Sequence, residues 1–458
     1  VGFGSMAGMA SLSSIEIPDA VKAIETSAFY GDSSLATINF SESGSLEEIG
    51  GYAFSHAALS GKLSLPEGLK KIGLAPFERC NSVTEFVIPS TVESYALSNG
   101  GNNNFFNGAN GSLRKVIIKS SADLPGYMFQ GQGALEEVEI DGDVTSIGVG
   151  AFNGCKKLSS VSGTGSVKSI GNQAFRYDSG LTGIDLSGAE SIGDWSFSES
   201  GLAGVDAPNA KTIGRGAFQK CPNLASLALG GSPSIESGII ASDYGLSTVD
   251  LTGIDSFESI NGDEAFVYWQ NSGNSGVADQ LTAFYFGDNE KAENAKADFR
   301  KKGTHAIFAS VNGGALDGAT ADKGSLATPS RSGYTFAGWY KEKTLENEYE
   351  NGVVVSDPEI YTNSNKFWNS FYAYAKWNSK ITLDANGGAL GESDSSTLDV
   401  AEGGQLGELP TPTREGYKFG GWFTEKGAGE EVGAGTVPAG NATYYAHWVK
   451  TVDDSKYY

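Results

Sequence analysis

Three cysteines and three histidines are the side chains of this chain best suited to nucleophilic, redox or metal chemistry. Each cysteine stands three places after a phenylalanine: Cys80 after Phe77, Cys155 after Phe152, Cys221 after Phe218. They therefore fall in one slot of a recurring phrase, three phrases apart. Three stacked strands separate residues by about 14 Å, beyond the ~7 Å between Cα atoms that a disulfide spans. Buried small apolar residues fit this placement; a redox pair or a metal site does not. His56, His305 and His447 are scattered, and His447 replaces Lys376 of a sister segment, as on a solvated strand face. No H-E-x-x-H, C-x-x-C, P-loop, G-x-S-x-G or EF-hand spacing occurs. Nothing converges serine, histidine and aspartate into a triad. The chain reads as a non-enzyme with no cofactor and no metal.

What positions these residues is a repeat. It reads IGGYAF ending at Phe54, IGLAPF at Phe77, IGVGAF at Phe152, IGNQAF at Phe175, IGDWSF at Phe197 and IGRGAF at Phe218. Looser copies end at Phe29, Phe106, Phe129 and Phe266, and IESGII puts Ile240 in the same slot. A spacing of 21 to 29 residues, most often 23, marks a solenoid whose units bury their apolar faces only against each other. The Ile and Phe positions are expected to fill its interior as two ladders. The glycine after each Ile (Gly50, Gly73, Gly148, Gly171, Gly193, Gly214) suits a corner with an unusual dihedral. A first strand, LSSIEIP from Leu12, has its own phrase either missing from a truncated start or lying in VGFGSMAG.

Between the phrases runs L-x-x-[IV]-x-[apolar], as in LATINF from Leu35, LEEVEI from Leu135 and LTGIDL from Leu181. Alternation of this length predicts one short half-buried strand per turn, stacked into a parallel sheet. The residue after the central apolar position points outward. Along the rod that slot holds Glu16, Asn39, Ser64, Val87, Ile117, Glu139, Ser162, Asp185, Asp206, Ala228, Asp250 and Tyr285. The strip Val87, Ile117, Glu139, Asp185, Asp206 and Asp250 is the candidate ligand face: an apolar patch followed by acids. It suits basic segments of a partner protein, or a cation bridging Asp185 and Asp206. The bland alternative is that acids keep an exposed sheet soluble and block edge pairing.

The phrase with its cysteine, almost whole in IGVGAFNGCKKL from Ile147 and IGRGAFQKCPNL from Ile213, resembles the BspA-like leucine-rich repeats of bacterial surface proteins. The resemblance covers roughly residues 12 to 287. Insertions at Ser98–Asn104 and Val267–Gln280 and the irregular turn at Ile240 depart from it. After the last strand, LTAFYF, the run GDNEKAENAKADFRKKG predicts a capping helix. Asp288 or Asn289 begins it, Arg300 to Lys302 suit its C-terminal end, and Ala292, Ala295 and Phe299 form one apolar stripe.

A second repeat follows. SVNGGAL from Ser310 returns as DANGGAL from Asp384, GYTFAGWY from Gly333 as GYKFGGWF from Gly416, and YAYAKW from Tyr372 as YYAHW from Tyr444. These segments resemble Listeria–Bacteroides repeats, the β-grasp-like modules of internalin B-repeat type. Their aromatics read as core, or alternatively as carbohydrate platforms, with Trp368 least explained by the pattern.

The fold class is therefore mainly β: a leucine-rich-repeat solenoid with short parallel strands and a C-terminal capping helix, then two small β-grasp-like domains. The expected division is solenoid 1–287, cap 288–303, first repeat 304–379, second repeat 380–450 and tail 451–458. A net charge of −23 makes nucleic acid and anionic membrane poor partners. No run reaches a membrane span, and no signal peptide precedes the repeats. The resemblance implies a monomeric, extracellular or cell-surface bacterial protein. It implies adhesion to host extracellular matrix or another surface protein, with an export signal and an anchor outside this stretch. Carbohydrate binding or a purely structural spacer is the alternative.

Overall fold

In a computed structural model, the phrases and alternating runs resolve into three stacked ladders. The residues described are 1–2, 4–41, 44–96, 104–108, 111–236, 238–240, 245–254, 282–288, 290–294, 307–322, 324–354 and 371–452. They divide into two compact units, the first reaching Thr282 and the second beginning at Ala283.

The alternating runs of the first unit form the expected parallel ribbon. Its longest stretch joins Ser60–Ser64, Ser82–Ile88, Lys115–Ile118, Glu137–Ile140 and Ser160–Ser162. Further along, Gly204–Ala207, Ser226–Gly231 and Thr248–Ile254 pair in the same sense. The register aligns the outward slot from turn to turn: Ser64 with Val87, Val87 with Ile117, Ile117 with Glu139, Glu139 with Ser162. LTGIDL does not join: residues 181–186 form no strand.

A second parallel ribbon, not expected from the sequence, is built by the Ile of each phrase and the residue before it. Ser146–Ile147, Ser169–Ile170, Ser191–Ile192, Thr212–Ile213 and Ser234–Ile235 stack as strands of two residues. The glycine that follows is needed for a different reason from the one expected. None of the six has a positive φ. Instead, a Cβ on Gly171 would lie 2.6 Å from the Val149 nitrogen, and one on Gly148 2.4 Å from the Gly126 nitrogen. Adjacent turns touch backbone to backbone there, and only a missing side chain allows it.

The third ladder is the phenylalanine turn. Phe29, Phe54, Phe77 and Phe106, and then Phe129 through Phe218, stack with ring centroids 5.1 to 5.8 Å apart. Except at Phe106, whose amide donates to the Asn104 side chain while Phe105 donates to Met128, each Phe amide donates to the carbonyl just before the slot residue of the next turn, as Phe152 to Ala174 (2.9 Å) and Phe175 to Ser196 (2.7 Å). Phe218 donates to Ile239, so Ile240 holds the slot as read, and Met6 donates to Ala28, so VGFGSMAG contains a phrase with Met6 in that slot. Two residues on either side of Phe29, Phe54, Phe77, Phe129, Phe152, Phe175, Phe197 and Phe218 the backbone is left-handed, as at Gln173 (58°) and Tyr177 (67°) around Phe175 and at Trp195 (51°) and Glu199 (61°) around Phe197. These reversals aim alternate amides at the same neighbour, so Gln173, Phe175 and Tyr177 all donate forward to the next turn.

In the second unit the strand Ala283–Phe286 lies parallel to Ile307–Ser310, with Tyr285 opposite Ala309. Tyr285 does not face solvent as its slot implied; it is fully buried and its hydroxyl accepts the Ala327 amide at 2.7 Å. Asp288 accepts the Lys291 amide at 2.8 Å and caps a helical turn at 290–294; the rest of the expected helix lies outside the described residues. One strand, Phe371–Asp384, closes the first C-terminal repeat and opens the second. Its first half pairs with Ile307–Ser310 and Thr335–Tyr340, its second half with Ser395–Ala401 and Ala442–Lys450. Tyr417–Phe423 completes the second sheet against Ala442–Lys450. Arg331 of the first repeat meets Glu402 of the second through two 2.7 Å hydrogen bonds, a fork-on-carboxylate contact.

Candidate functional site

The strand ribbon presents two outward columns. One carries Lys62, Glu85, Lys115 and Glu137 in adjacent register, with alternating sign. Lys62 meets Glu85 at 2.8 Å and Lys115 meets Glu137 at 3.0 Å. Apolar periodicity passes over this column; its signal in the sequence is charge that alternates in one slot of successive repeats.

The other column holds the candidate strip. Ser64, Val87, Ile117, Glu139 and Ser162 lie side by side. Val87 is only 8% exposed and Ile117 half-buried, so the apolar patch is mostly covered. Glu139 shares Lys115 with Glu137, 3.2 Å from its ammonium. The acids beyond it are not a contiguous row. Asp185 sits in the irregular segment, where the Ser187 hydroxyl, and then its amide at 2.9 Å, hold the carboxyl below the usual range. Asp206 is exposed on its strand, and Ala228 separates it from Asp250. Asp250 turns back to accept the Thr252 amide and hydroxyl at 2.9 and 2.7 Å. No strand pairing joins Asp185 to Asp206, and among the described residues no three His, Cys, Asp or Glu side chains gather as a metal site.

The three cysteines are buried and none is in a disulfide. Each thiol donates to the carbonyl of the phenylalanine one turn earlier: Cys80 to Phe54 at 3.2 Å, Cys155 to Phe129 at 3.3 Å, Cys221 to Phe197 at 3.2 Å. Burial pushes the Cys80 thiol up to about 12, so little thiolate forms at neutral pH. In other turns the slot holds Gln132, whose amide nitrogen reaches the Phe106 carbonyl at 3.4 Å, or Asp178. Asp178 is fully buried; one carboxyl oxygen accepts the Cys155 amide at 2.7 Å and the other has no partner.

Burial raises the Asp178 carboxyl well above the usual carboxylate range, which favours the protonated form in the fold. The native value exceeds the unfolded one, so its stabilising effect is complete in acid and is lost as pH rises through the native value. Asp178→Asn is therefore expected to gain stability over the parent as pH rises from about 4 to about 8. Urea midpoints of both proteins across that range measure it; a difference that does not change with pH contradicts it.

Ser55, His56 and Glu78 come together, yet not as a catalytic set. The Ser55 hydroxyl lies 2.8 Å from Nδ1 of His56 and 3.0 Å from Glu78. The carboxylate holds the serine rather than the imidazole, and Ser55 is fully buried, out of a substrate's reach. In the second unit Trp339, Trp377 and Trp422 are core, each at most 3% exposed. His447 stacks on Phe423 at 3.9 Å, the place where Lys376 covers Tyr340 in the first repeat. His305, Trp368 and the insertion at Val267–Gln280 lie outside the described residues, as does most of Ser98–Asn104.

Stacked turns of about this length, with one parallel strand each and a shared apolar column, define a leucine-rich-repeat solenoid. The BspA type leucine rich repeat region matches residues 4–123 and 122–247, and the chain belongs to this family. The Listeria-Bacteroides repeat domain matches residues 297–367 and 380–447. Internalin H of Listeria monocytogenes is 32% identical over 124 residues, covering 27% of this chain. The match takes in 20% of that relative's own length. Among solved structures, the pneumococcal vaccine antigen PcpA aligns with 62% of this chain and 76% of its own at 18% identity and a TM-score of 0.33. A T. pallidum leucine-rich-repeat protein aligns with 40% and 70% at 23% identity and a TM-score of 0.27.

Proposed function

We propose that this is a non-catalytic protein of the bacterial surface or its surroundings that adheres to other proteins through the strand face of its solenoid. Membership of a repeat family that serves protein–protein recognition supports it, as does the likeness to Internalin H over part of the chain. The observation that carries it is the continuous outward column from Ser64 to Ser162, a regular surface with one residue per turn. We assign the contact to Ile117, Glu139, Asp206 and Asp250, with Asp185 beside them and Val87 beneath. We assign the two repeats that follow the solenoid, 304–379 and 380–450, a structural role. No described helix is long and apolar enough to cross a membrane.

The test is saturation binding of the whole chain to immobilised extracellular-matrix proteins and to bacterial surface extracts, at low and physiological salt. A basic partner surface predicts binding that weakens with salt and falls by about fivefold in the Asp206→Ser, Asp250→Ser double variant. Absence of saturable binding to every protein in the panel would leave a spacer and remove the adhesive reading.

A further inference from the structure

A different face of the solenoid carries a second recognition feature. The left-handed position two places after the slot residue bears a side chain at His56, Arg79, Tyr177, Glu199 and Lys220, and is glycine in the first two turns, at Gly8 and Gly31. In three consecutive turns it is glycine: Gly108, Gly131 and Gly154, with φ of 70°, 74° and 82°. The position just before it holds a carboxamide in the same three turns: Asn107, Gln130 and Asn153. The result is a cleft of about 380 Å³ floored by glycine backbone and walled by amides.

This cleft is polar and uncharged along its lining. The Gln132 side chain, 2% exposed, adds a carbonyl oxygen that has no partner. Asn107 and Asn153 use their side-chain nitrogens on Glu78 and on the Gln173 carbonyl, at 3.2 and 3.4 Å. Their side-chain oxygens accept from no protein group among the described residues. At one end of the glycine row, the next turn supplies Tyr177, 37% exposed, with the Arg176 guanidinium 4.5 Å over its ring. At the other end Arg79 leans so close that a Cβ on Gly108 would sit 3.2 Å from it.

We infer that this groove binds a neutral oligosaccharide. Sugar hydroxyls both donate and accept, matching carboxamides, which do the same from a fixed plane. The lining between Arg79 at one end and Arg176 at the other carries no charge, and an apolar peptide side chain finds no apolar pocket there. Glycine lets a sugar ring approach the backbone directly, and Tyr177 offers an aromatic surface for its apolar face. The carboxamides recur once per turn, about 4.8 Å apart, which favours a chain of repeating units over a single sugar.

The slot itself supplies the variant. Glu199 occupies the same position at a φ of 61°, so Gly131→Glu fills the groove with a residue the turn already accepts, and a Cβ there meets nothing within 4 Å. The whole chain is titrated calorimetrically with cellohexaose, laminarihexaose, maltohexaose and mannohexaose, and with a neutral Gly-Ser-Asn dodecapeptide. One hexasaccharide is expected to bind, to be indifferent to salt between about 0.05 and 0.5 M, and to lose about tenfold in affinity in Gly131→Glu and in Tyr177→Ala. Asp206→Ser, on the strand face, is expected to leave that binding intact, which separates this groove from the adhesive surface. Silence from all four saccharides, binding unaffected by Gly131→Glu, or preference for the peptide each overturns the inference.

Discussion

Phe175→Ala is expected to remove about 4 kcal/mol of stability. Phe175 is fully buried, and its ring stacks on Phe152 and Phe197, each with centroids 5.3 Å away and planes within 10°. Truncation leaves a cavity between two rings that cannot close on it, because their spacing is fixed by the two backbone ribbons. The transfer cost of the lost ring and the cavity cost therefore add. Urea unfolding followed by far-ultraviolet circular dichroism measures the loss, and a change below about 1 kcal/mol would mean that the turns can collapse inward. Because each turn contacts only its neighbours, the loss is also expected to broaden the transition by uncoupling the two halves of the stack.

The second large effect concerns a residue with no side chain at all. In Gly171→Ala the new Cβ would meet the Val149 nitrogen at 2.6 Å and the Gly148 carbonyl carbon at 2.7 Å. Backbone on both sides of the contact cannot rotate away as a flexible side chain would, so two turns must separate and weaken the short Ile ribbon. The expected cost is about 3 kcal/mol. Gly183→Ala is the matched control, since a Cβ there meets nothing within 4 Å and its φ is not left-handed. A melting temperature lowered by Gly171→Ala and unmoved by Gly183→Ala supports backbone contact as the reason glycine recurs at this place in the phrase. Equal effects of the two would show that only glycine's chain entropy matters.

The strand ribbon and the Phe column were legible because each leaves a periodic apolar mark, of period two along the strand and about 23 residues between turns. The Ile ribbon was not, because two residues are too short to alternate. The glycine was read as a dihedral requirement, whereas the left-handed positions fall on Ser27, Tyr52, Gln173 and Trp195, residues whose types give no hint of it. They adopt it because three forward hydrogen bonds per turn outweigh the modest cost of that conformation. The same limit applies to the candidate strip. Slot counting put Asp185 on the sheet, yet the segment around it forms no strand, and its carboxylate bonds its own turn instead. In the C-terminal repeats, sequence repetition suggested a boundary near Ser379. Alternation runs straight through it, with Ala373, Ala375, Trp377, Ser379, Ile381 and Leu383 all buried on one continuous strand. That the cysteines pack as small buried residues followed from their shared slot alone; the carbonyl each thiol meets needed the fold.

The forward-pointing amides of the phenylalanine turns have an electrical meaning. In a parallel β-ribbon, N–H and C=O groups alternate in direction and their dipoles nearly cancel. Here, Ser27, Phe29 and Gly31 donate to residues 51, 53 and 55, and the same sense persists from turn to turn through Trp195, Phe197 and Glu199. The peptide dipoles therefore add along the stacking axis as they do in an α-helix, but across separate turns instead of along one continuous coil. The low-numbered end of this ladder presents carbonyl oxygens, and the high-numbered end presents N–H groups. A protein with net charge −23 thus carries, in its backbone alone, a polarity that every added turn lengthens.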